Sequence, residues 1–173
     1  MNKLMLLGGF LLACLNMGCI RDGEPSSPAG KLDVGEQIPE FSVVLNEGTV
    51  LNDADLKGKV SVLVFFRTSC PDCREELPHI QRLYDAFQSD ARVCIYCISW
   101  KDTPEDVGRY WQAERFTLPY AAGCEETVYE RFACKVVPTV FVSDSKRVIR
   151  YKFRDNPVAS FEELIQAVRA CLL

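Results

Sequence analysis

Residues 60–79, VSVLVFFRTSCPDCREELPH, restrict the fold more than any other part of the chain. The first seven of them are apolar at nearly every position and rich in Val and Phe, which is typical of a β-strand buried on both faces. Cys70 and Cys73 follow after three further residues, and Pro71 suits the first position of a helix, where no backbone N–H is needed. The pattern therefore predicts a strand, a turn that carries two cysteines, and a helix.

The position of these two cysteines predicts their chemistry. A helix N-terminus presents unpaired N–H groups and the positive end of the helix dipole, so it favours the thiolate form of Cys70. Residues three apart in a helix are neighbours, and we therefore expect the sulfur of Cys73 beside that of Cys70. A pair in this arrangement can form and break a disulfide by thiol–disulfide exchange.

The same segment resembles the active site of the thioredoxin superfamily, in the branch of exported TlpA/ResA-like thiol–disulfide oxidoreductases. Its CxxC pair stands in the strand–helix context that the superfamily shows. Pro78 matches the helix-kinking proline of the family, and Glu76 matches an active-site glutamate of the ResA-like branch. The chain departs from the pattern at two positions. Ser69 stands where the family has Trp, and Val64 stands where thioredoxin itself has a buried Asp.

The resemblance covers residues 35–173 and implies an α/β thioredoxin fold, with a central mixed sheet flanked by helices and an N-terminal β-hairpin extension. The residue pattern agrees, because strand and helix signals alternate along the chain. Thr103 is a predicted helix N-cap, and Ser160 with Glu163 forms a predicted capping box at the last helix. Strands are predicted at 41–45, 49–51, 60–66, 92–99, 118–121, 139–142 and 148–153, and helices at 71–87, 103–115, 125–132 and from 160 onward.

Val137, Pro138 and Thr139 match a second family landmark. In the family, a cis proline at this place faces the CxxC pair and touches the bound substrate chain. The resemblance therefore implies a cis Val137–Pro138 bond and makes these three residues candidates for substrate binding.

The N-terminus has the features of a targeting segment, which we predict to be residues 1–19. Lys3 supplies a minimal positive region, and residues 4–15 form an apolar core that is too short to span a bilayer. Cys19 follows a small residue and resembles a bacterial lipoprotein cleavage site, which makes it the candidate for lipid attachment. Cleavage before Cys14 and an ordinary cleaved signal peptide are the alternatives, and all three place the domain outside the cytoplasm.

Residues 20–34 hold two Pro, two Gly and two Ser without hydrophobic periodicity, and they are predicted to form a flexible linker. The remaining 35–173 have the length of one domain with a sizeable core. The chain has a net charge of −4 and no basic cluster, which argues against nucleic acid as a partner.

A second CxxC sequence, Cys94 to Cys97, lies in a predicted strand, where residues three apart point to opposite faces about 10 Å from each other. A disulfide needs Cα atoms within about 7 Å, so we interpret both as buried small side chains. Cys124 and Cys134 flank a predicted short helix and would be about 15 Å apart if it were regular. A resolving or regulatory role for Cys134 stays open. The sequence has no four-ligand constellation for zinc, and no cofactor is expected.

Glu76 and His79 are two ionisable residues of the active-site helix. Glu76 is predicted to hold or relay a proton near Cys73, the alternative being one more solvated charge on a helix rich in them. His79 is the only histidine in the chain. Without a partner cluster it is predicted to be a surface residue rather than a ligand.

These observations predict a membrane-tethered, extracytoplasmic thiol–disulfide oxidoreductase. Cys70 would attack a disulfide of an exported client protein, and Cys73 would resolve the mixed disulfide. Asp72 and Glu76 oppose the helix dipole by placing negative charge near the sulfurs. We therefore expect a reducing potential, nearer the roughly −270 mV of thioredoxin than the roughly −120 mV of DsbA. A reductase in an oxidising compartment needs an electron donor, which we expect to be a membrane relay.

Two other functional classes are compatible with this fold. Peroxiredoxins share it, but their pattern places Pro and Thr seven and three residues before the reactive cysteine, where this chain has Leu63 and Arg67. A non-catalytic binding module would keep the fold without the chemistry, and the intact CxxC argues against it. Thiols inert toward a disulfide probe would favour that second alternative.

Overall fold

The structure of the protein is a computed structural model that describes residues 32–173. The predicted signal segment, Cys14, Cys19 and all but the last three residues of the predicted linker lie outside this range. Within it, no helix has both the length and the apolar character needed to cross a bilayer.

The described chain has seven strands and four α-helices, with a 3₁₀ turn at Asp53–Leu56. Their order follows the prediction, and most boundaries agree within two residues. The strands are β1 (Ser42–Val44), β2 (Val50–Asn52), β3 (Val60–Phe66), β4 (Val93–Ser99), β5 (Tyr120–Ala121), β6 (Thr139–Ser143) and β7 (Ile149–Arg154), and the helices are α1 (Pro71–Phe87), α2 (Pro104–Glu114), α3 (Glu126–Arg131) and α4 (Phe161–Leu172).

Five strands form a mixed sheet in the order β5-β4-β3-β6-β7, and β1 with β2 forms a separate antiparallel hairpin. The strand β3 is central, parallel to β4 and antiparallel to β6. All seven of its residues are buried, as its near-continuous apolar run predicts. This arrangement confirms the predicted thioredoxin-type sheet with an N-terminal hairpin extension.

The two faces of the sheet pack against different elements. On one face, Val62 and Val64 belong to a core shared with α1, α2 and α4. On the other, Leu63 and Phe65 pack with the hairpin and α3. The alternation follows from the strand geometry, because successive side chains point to opposite faces.

Two predicted helix starts are confirmed. Thr103 caps α2, since its Oγ1 accepts a hydrogen bond from the backbone N–H of Asp106 at 3.2 Å. At α4 the Ser160 Oγ accepts from the N–H of Glu163 at 3.3 Å while the Glu163 carboxylate accepts from the N–H of Ser160 at 2.9 Å. This reciprocal pair is the predicted capping box.

Three segments meet at one end of the sheet, where strands finish or begin. The parallel strands β3 and β4 both end there, and β6 begins there because it runs antiparallel to β3. The turn before α1, the loop after β4 and the loop that enters β6 therefore lie side by side. Every candidate site residue in the described range lies at this end of the sheet except Glu76, which is one helical turn further along α1 than Cys73.

Candidate active site

Cys70 is the N-cap residue of α1, with Pro71 at the first helical position as predicted. Its Sγ accepts a hydrogen bond from the backbone N–H of Cys73 at 3.5 Å. The sulfur is partly exposed, and its thiol also lies 3.5 Å from the carbonyl oxygen of Val137, to which it donates. Cys70 is therefore the accessible sulfur of the pair, and it lies at the N-terminus of α1.

Cys73 lies behind Cys70 and is fully buried. Burial raises the pKa of this thiol far above its ordinary value, and the nearby Cys70 and Glu76 raise it further. The backbone N–H of Arg67, which donates to the sulfur at 3.5 Å, acts in the opposite direction. Cys73 is thus inaccessible to a client in this conformation, and its nearest thiol partner is Cys70.

The turn before Cys70 is fixed by a buried carboxylate that the sequence analysis missed. Asp102 Oδ2 accepts from the backbone N–H of Thr68 and from Ser99 Oγ, both at 2.7 Å. The Thr68 carbonyl in turn accepts from Arg74 Nε at 2.7 Å. These contacts tie the loop after β4 to the turn that orients both sulfurs. In the sequence, the signal for this contact was an acidic residue three positions after the end of a predicted buried strand.

Glu76 is buried, with only 1% of its surface exposed, so it is not a solvated helix charge. Burial raises its pKa from 4.5 to about 7, although the backbone N–H of Ala159 donates to Oε1 at 3.1 Å and lowers it in part. The other oxygen, Oε2, is buried and has no hydrogen-bond partner among the described residues. A carboxyl group in this position can change protonation near neutral pH.

His79 differs from its prediction as a surface residue. It is half-buried, and its Nδ1 lies 3.1 Å from the carbonyl oxygen of Ala159. Residue 159 is on the loop before α4, eighty positions away in sequence, so no local pattern could indicate this contact.

The loop that enters β6 has the geometry implied by the resemblance, because the Val137–Pro138 peptide bond is cis. The Val137 carbonyl is the group nearest the Cys70 thiol from this loop. Thr139 is buried, and its Oγ1 donates to the Val136 carbonyl at 2.8 Å. The threonine hydroxyl therefore stabilises the loop itself.

The remaining cysteines of the described range are all free thiols. Cys94 packs on the face of the sheet that carries α3, whereas Cys97 is fully buried on the face that carries α1. This confirms that the second CxxC sequence points to opposite faces. Cys124 and Cys134 pack near the Tyr129 ring and remain unpaired. No group of three or more potential metal ligands occurs in residues 32–173.

Comparison with known proteins places this geometry in a family. A profile of the AhpC/TSA family matches residues 34–152. The chain belongs to the AhpC/TSA family. Among curated relatives, the thiol-disulfide oxidoreductase ResA of Bacillus thuringiensis is 27% identical over 141 residues, covering 82% of this chain and 78% of the relative. The sporulation thiol-disulfide oxidoreductase A of Bacillus subtilis is 27% identical over 92 residues, covering 52% of this chain and 56% of that protein.

Solved structures show the same fold. A thiol:disulfide interchange protein of the thioredoxin family from Chlorobium tepidum TLS superposes with a TM-score of 0.70 at 22% identity, covering 83% of this chain and all of that one. StoA of Bacillus subtilis gives 0.65 at 23% identity, covering 75% and 96%. The fold is thus the thioredoxin fold, and the named relatives make this AhpC/TSA member a protein thiol–disulfide oxidoreductase.

Proposed function

We propose that the protein is an extracytoplasmic, lipid-anchored reductase of disulfides in exported proteins, working through the pair Cys70 and Cys73. The observation that supports this best is the arrangement of the two sulfurs. One is partly exposed at a helix N-terminus beside the cis-proline loop, and the other is buried directly behind it. A nucleophile that clients can reach and a resolving thiol that they cannot reach are the two parts that disulfide exchange requires.

The reaction proceeds in two exchange steps. The Cys70 thiolate attacks one sulfur of the client disulfide, a Cys70–client bond forms, and the other client sulfur leaves as a thiolate that takes up a proton. The Cys73 thiolate then attacks the Cys70 sulfur, so that the Cys70–Cys73 disulfide forms, the Cys70–client bond breaks, and the second client sulfur leaves as a thiolate that takes up a proton. The client gains two electrons, and the protein loses them to become the disulfide form.

Glu76 supplies the base for the second step. Cys73 must lose its proton before it can attack, but burial holds its pKa far above its ordinary value. Glu76 is three residues further along α1, is buried with it, and has a pKa of about 7. A carboxylate with that pKa is partly ionised at neutral pH and can accept the thiol proton.

The client contacts the loop of Val137, Pro138 and Thr139. The Val137 carbonyl borders Cys70, while Thr139 keeps the loop in shape. A groove of about 470 Å³ is lined by side chains that include Trp100, Tyr129 and Cys134, and also by Lys135, which precedes Val137 by two residues in the chain. Its mostly apolar walls suit a side chain of an extended client polypeptide that is held next to its reactive disulfide.

Cys19 tethers the protein to the membrane, and a membrane relay that carries dithiol electrons regenerates the reduced pair. The support is the sequence of residues 1–19 and the thermodynamic need for a donor in an oxidising compartment. Replacing Cys19 by Ala should move the protein from the membrane fraction to the soluble fraction, since a buried acyl chain contributes about 0.8 kcal/mol per CH₂. Unchanged fractionation would point to Cys14 or an uncleaved segment.

Trapping clients on a Cys73→Ser variant is the test of the whole proposal. Without the resolving thiol, the mixed disulfide at Cys70 should accumulate and be recovered with its client for mass spectrometry. The matched control is the Cys70→Ser, Cys73→Ser double variant, which should trap nothing. Recovery of cytoplasmic proteins alone from intact cells, or equal recovery by the control, would contradict the proposal.

A thiol peroxidase is the second candidate, favoured by the family profile alone. The chain lacks the peroxidase Pro and Thr, having Leu63 and Arg67 in those places, and it has a second thiol directly behind the first. We expect hydrogen peroxide consumption to be far slower than reduction of a protein disulfide at equal concentration. The opposite ratio would establish the peroxidase function.

A further inference from the structure

Two side chains of α1 hold the same residue of a distant loop. Ala159 is buried in the segment before α4, and its N–H donates to Glu76 Oε1 at 3.1 Å. Its carbonyl oxygen lies 3.1 Å from His79 Nδ1. Glu76 and His79 are three residues apart, so they project from one face of the helix and reach Ala159 from its two polar ends.

The chemistry of the carbonyl assigns the direction of the second bond. A carbonyl oxygen only accepts, so Nδ1 of His79 must carry the hydrogen. In the neutral ring this leaves Nε2 without a proton. The Ala159 carbonyl lies in the same peptide plane as the Ser160 N–H, so His79 and the capping-box Glu163 hold this plane from its two ends.

The orientation of Ala159 matters because its N–H is the hydrogen-bond donor that the structure gives to Glu76. Oε1 receives that N–H, whereas Oε2 is buried without a partner in residues 32–173. The acidic proton of the neutral carboxyl group therefore belongs on Oε2. The Ala159 N–H and carbonyl belong to adjacent peptide units, which are linked through the backbone dihedrals of Ala159. A change in those dihedrals would turn the N–H away from Oε1 and remove the single contact that distinguishes the two oxygens and favours the carboxylate.

We propose that His79 is a positioning residue for Glu76: by holding the Ala159 carbonyl, it aims the Ala159 N–H at Oε1 and keeps the Glu76 carboxyl in the orientation used by the buried thiol Cys73. The inference rests on the proton-transfer role of Glu76 given above. His79 itself touches neither sulfur and takes no proton in the reaction.

The tautomer of His79 is the first test. Because His79 is the only histidine in the chain, its ring nitrogens give unambiguous signals in ¹⁵N-labelled protein. At a pH where the ring is neutral, long-range ¹H–¹⁵N spectra should show a protonated Nδ1 and an unprotonated Nε2. The Nε2–H tautomer would overturn the proposal, since that ring cannot donate to Ala159.

The second test compares His79→Ala with His79→Asn, whose amide can donate from nearly the place of Nδ1. A hydrogen bond to a charged group is worth about one pKa unit, so its partial or complete loss should raise the Glu76 titration midpoint in His79→Ala by roughly half a unit to one unit. His79→Asn should stay near the wild type. The midpoint is followed by ¹³C NMR of labelled Glu carboxyl groups, with Glu76→Gln identifying the signal.

A kinetic cycle separates positioning from a structural effect. With one equivalent of Ellman's reagent, which the accessible Cys70 at the helix N-terminus consumes ahead of the other free thiols, Cys70 releases one coloured thiolate and resolution by Cys73 releases the second, so the second phase reports the step that uses Glu76. His79→Ala should slow this phase about 3- to 10-fold in the wild-type background and leave it unchanged in the Glu76→Gln background. Equal slowing in both backgrounds would show that His79 only supports the α1–α4 junction, and would overturn the proposal.

The proposed roles of Glu76 and His79 can fail separately. If Glu76→Gln resolves as fast as the wild type, the proton-transfer role of Glu76 fails, while the carboxyl titration still judges whether His79 positions that group. If Glu76→Gln is slow but the Glu76 midpoint is the same in His79→Ala and the wild type, the role of His79 fails alone. Thermal melting of each variant confirms that the compared proteins are folded.

Discussion

The segments Cys70–Cys73 and Cys94–Cys97 have the same spacing but lie in different secondary structure. In the first, the spacing falls on the opening turn of α1, and the Cys73 N–H reaches the Cys70 sulfur at 3.5 Å. In the second, it falls in β4, where the two thiols enter different cores on the two faces of the sheet. The helix brings residues three apart together, and the strand separates them by about 10 Å.

The comparison shows that the CxxC spacing predicts disulfide chemistry only when the secondary structure that carries the two cysteines is known. The α1 pair also has an electrostatic asymmetry, because one sulfur meets helix N–H groups and the other is buried. In the β4 pair, Cys97 is completely buried and Cys94 is partly buried, and loss of contact with water raises the pKa of Cys94 to about 11 and that of Cys97 well above its ordinary value. Thiols of that kind are inert at neutral pH, since the thiolate is the reactive form.

The largest expected effect is on activity. Cys70→Ser should lower the rate of disulfide reduction at least about 10³-fold, because Cys70 is the proposed covalent nucleophile. Cys94→Ala is the matched control and should keep the rate within about 2-fold, since its thiol is only a packing group. The measurement is reduction of a protein disulfide under single-turnover conditions. A large loss in the control would contradict the division between the two segments.

The next prediction concerns which bond forms on oxidation. Under denaturing, non-reducing peptide mapping, the Cys70–Cys73 disulfide should dominate after mild oxidation, and a Cys94–Cys97 disulfide should be absent. The bond should have a potential nearer about −270 mV than about −120 mV in a glutathione or dithiothreitol titration. A potential near the upper value would make the protein an oxidant that forms disulfides. A dominant Cys94–Cys97 bond would contradict the structure of β4.

Glu76 connects the two segments, since its charge raises the pKa of both Cys73 and Cys97. Its own pKa is raised from 4.5 to about 7, so the folded protein binds more protons than the unfolded chain between these values. The unfolding free energy from this group is therefore greatest below pH 4.5 and falls as the pH rises to about 7.

Glu76→Gln removes this dependence, because the amide cannot ionise. We expect the variant to be more stable than the wild type by about 1–3 kcal/mol at pH 8 and nearly equal at about pH 4, as measured by urea denaturation at the two pH values. Glu75→Gln, one residue away on the exposed side of the helix, is the control and should show no such difference. Equal pH dependence in the wild type and Glu76→Gln would mean that the carboxyl is ionised when folded.

The fold and the two sulfurs were predictable from the sequence because local rules determine them. The buried strand β3, the proline at the start of α1 and the opposite faces of Cys94 and Cys97 all follow from periodicity and helix-start chemistry. The cis bond at Pro138 followed from the family resemblance and not from local rules.

The supporting contacts were not predictable in the same way. Asp102 binds Thr68 across 34 positions, and Glu76 binds Ala159 across 83. Such bonds depend on how α1, α4 and the loop after β4 are packed together, which is a property of the tertiary structure. On α1 the charged neighbours of Glu76 gave no signal that this one carboxyl faces inward, and the assignment of His79 to the surface differed from the structure for the same reason.

The smallest expected effect is on stability and compares the two thiols of β4. Cys97 is completely buried against the α1 face, so Cys97→Ala removes a sulfur from a closed core and leaves a small cavity. Cys94 is only partly buried, and solvent and neighbouring side chains can fill the space in Cys94→Ala. By analogy with the loss of a single methyl or methylene group, we expect about 1–1.5 kcal/mol for Cys97→Ala and about half of that for Cys94→Ala. Urea denaturation at pH 7 would measure the difference, provided that the unfolding free energy of both variants depends equally on urea concentration. A larger cost at Cys94 would mean that this thiol, which donates to the Val60 carbonyl at 3.7 Å, contributes more through that bond than packing contributes at Cys97.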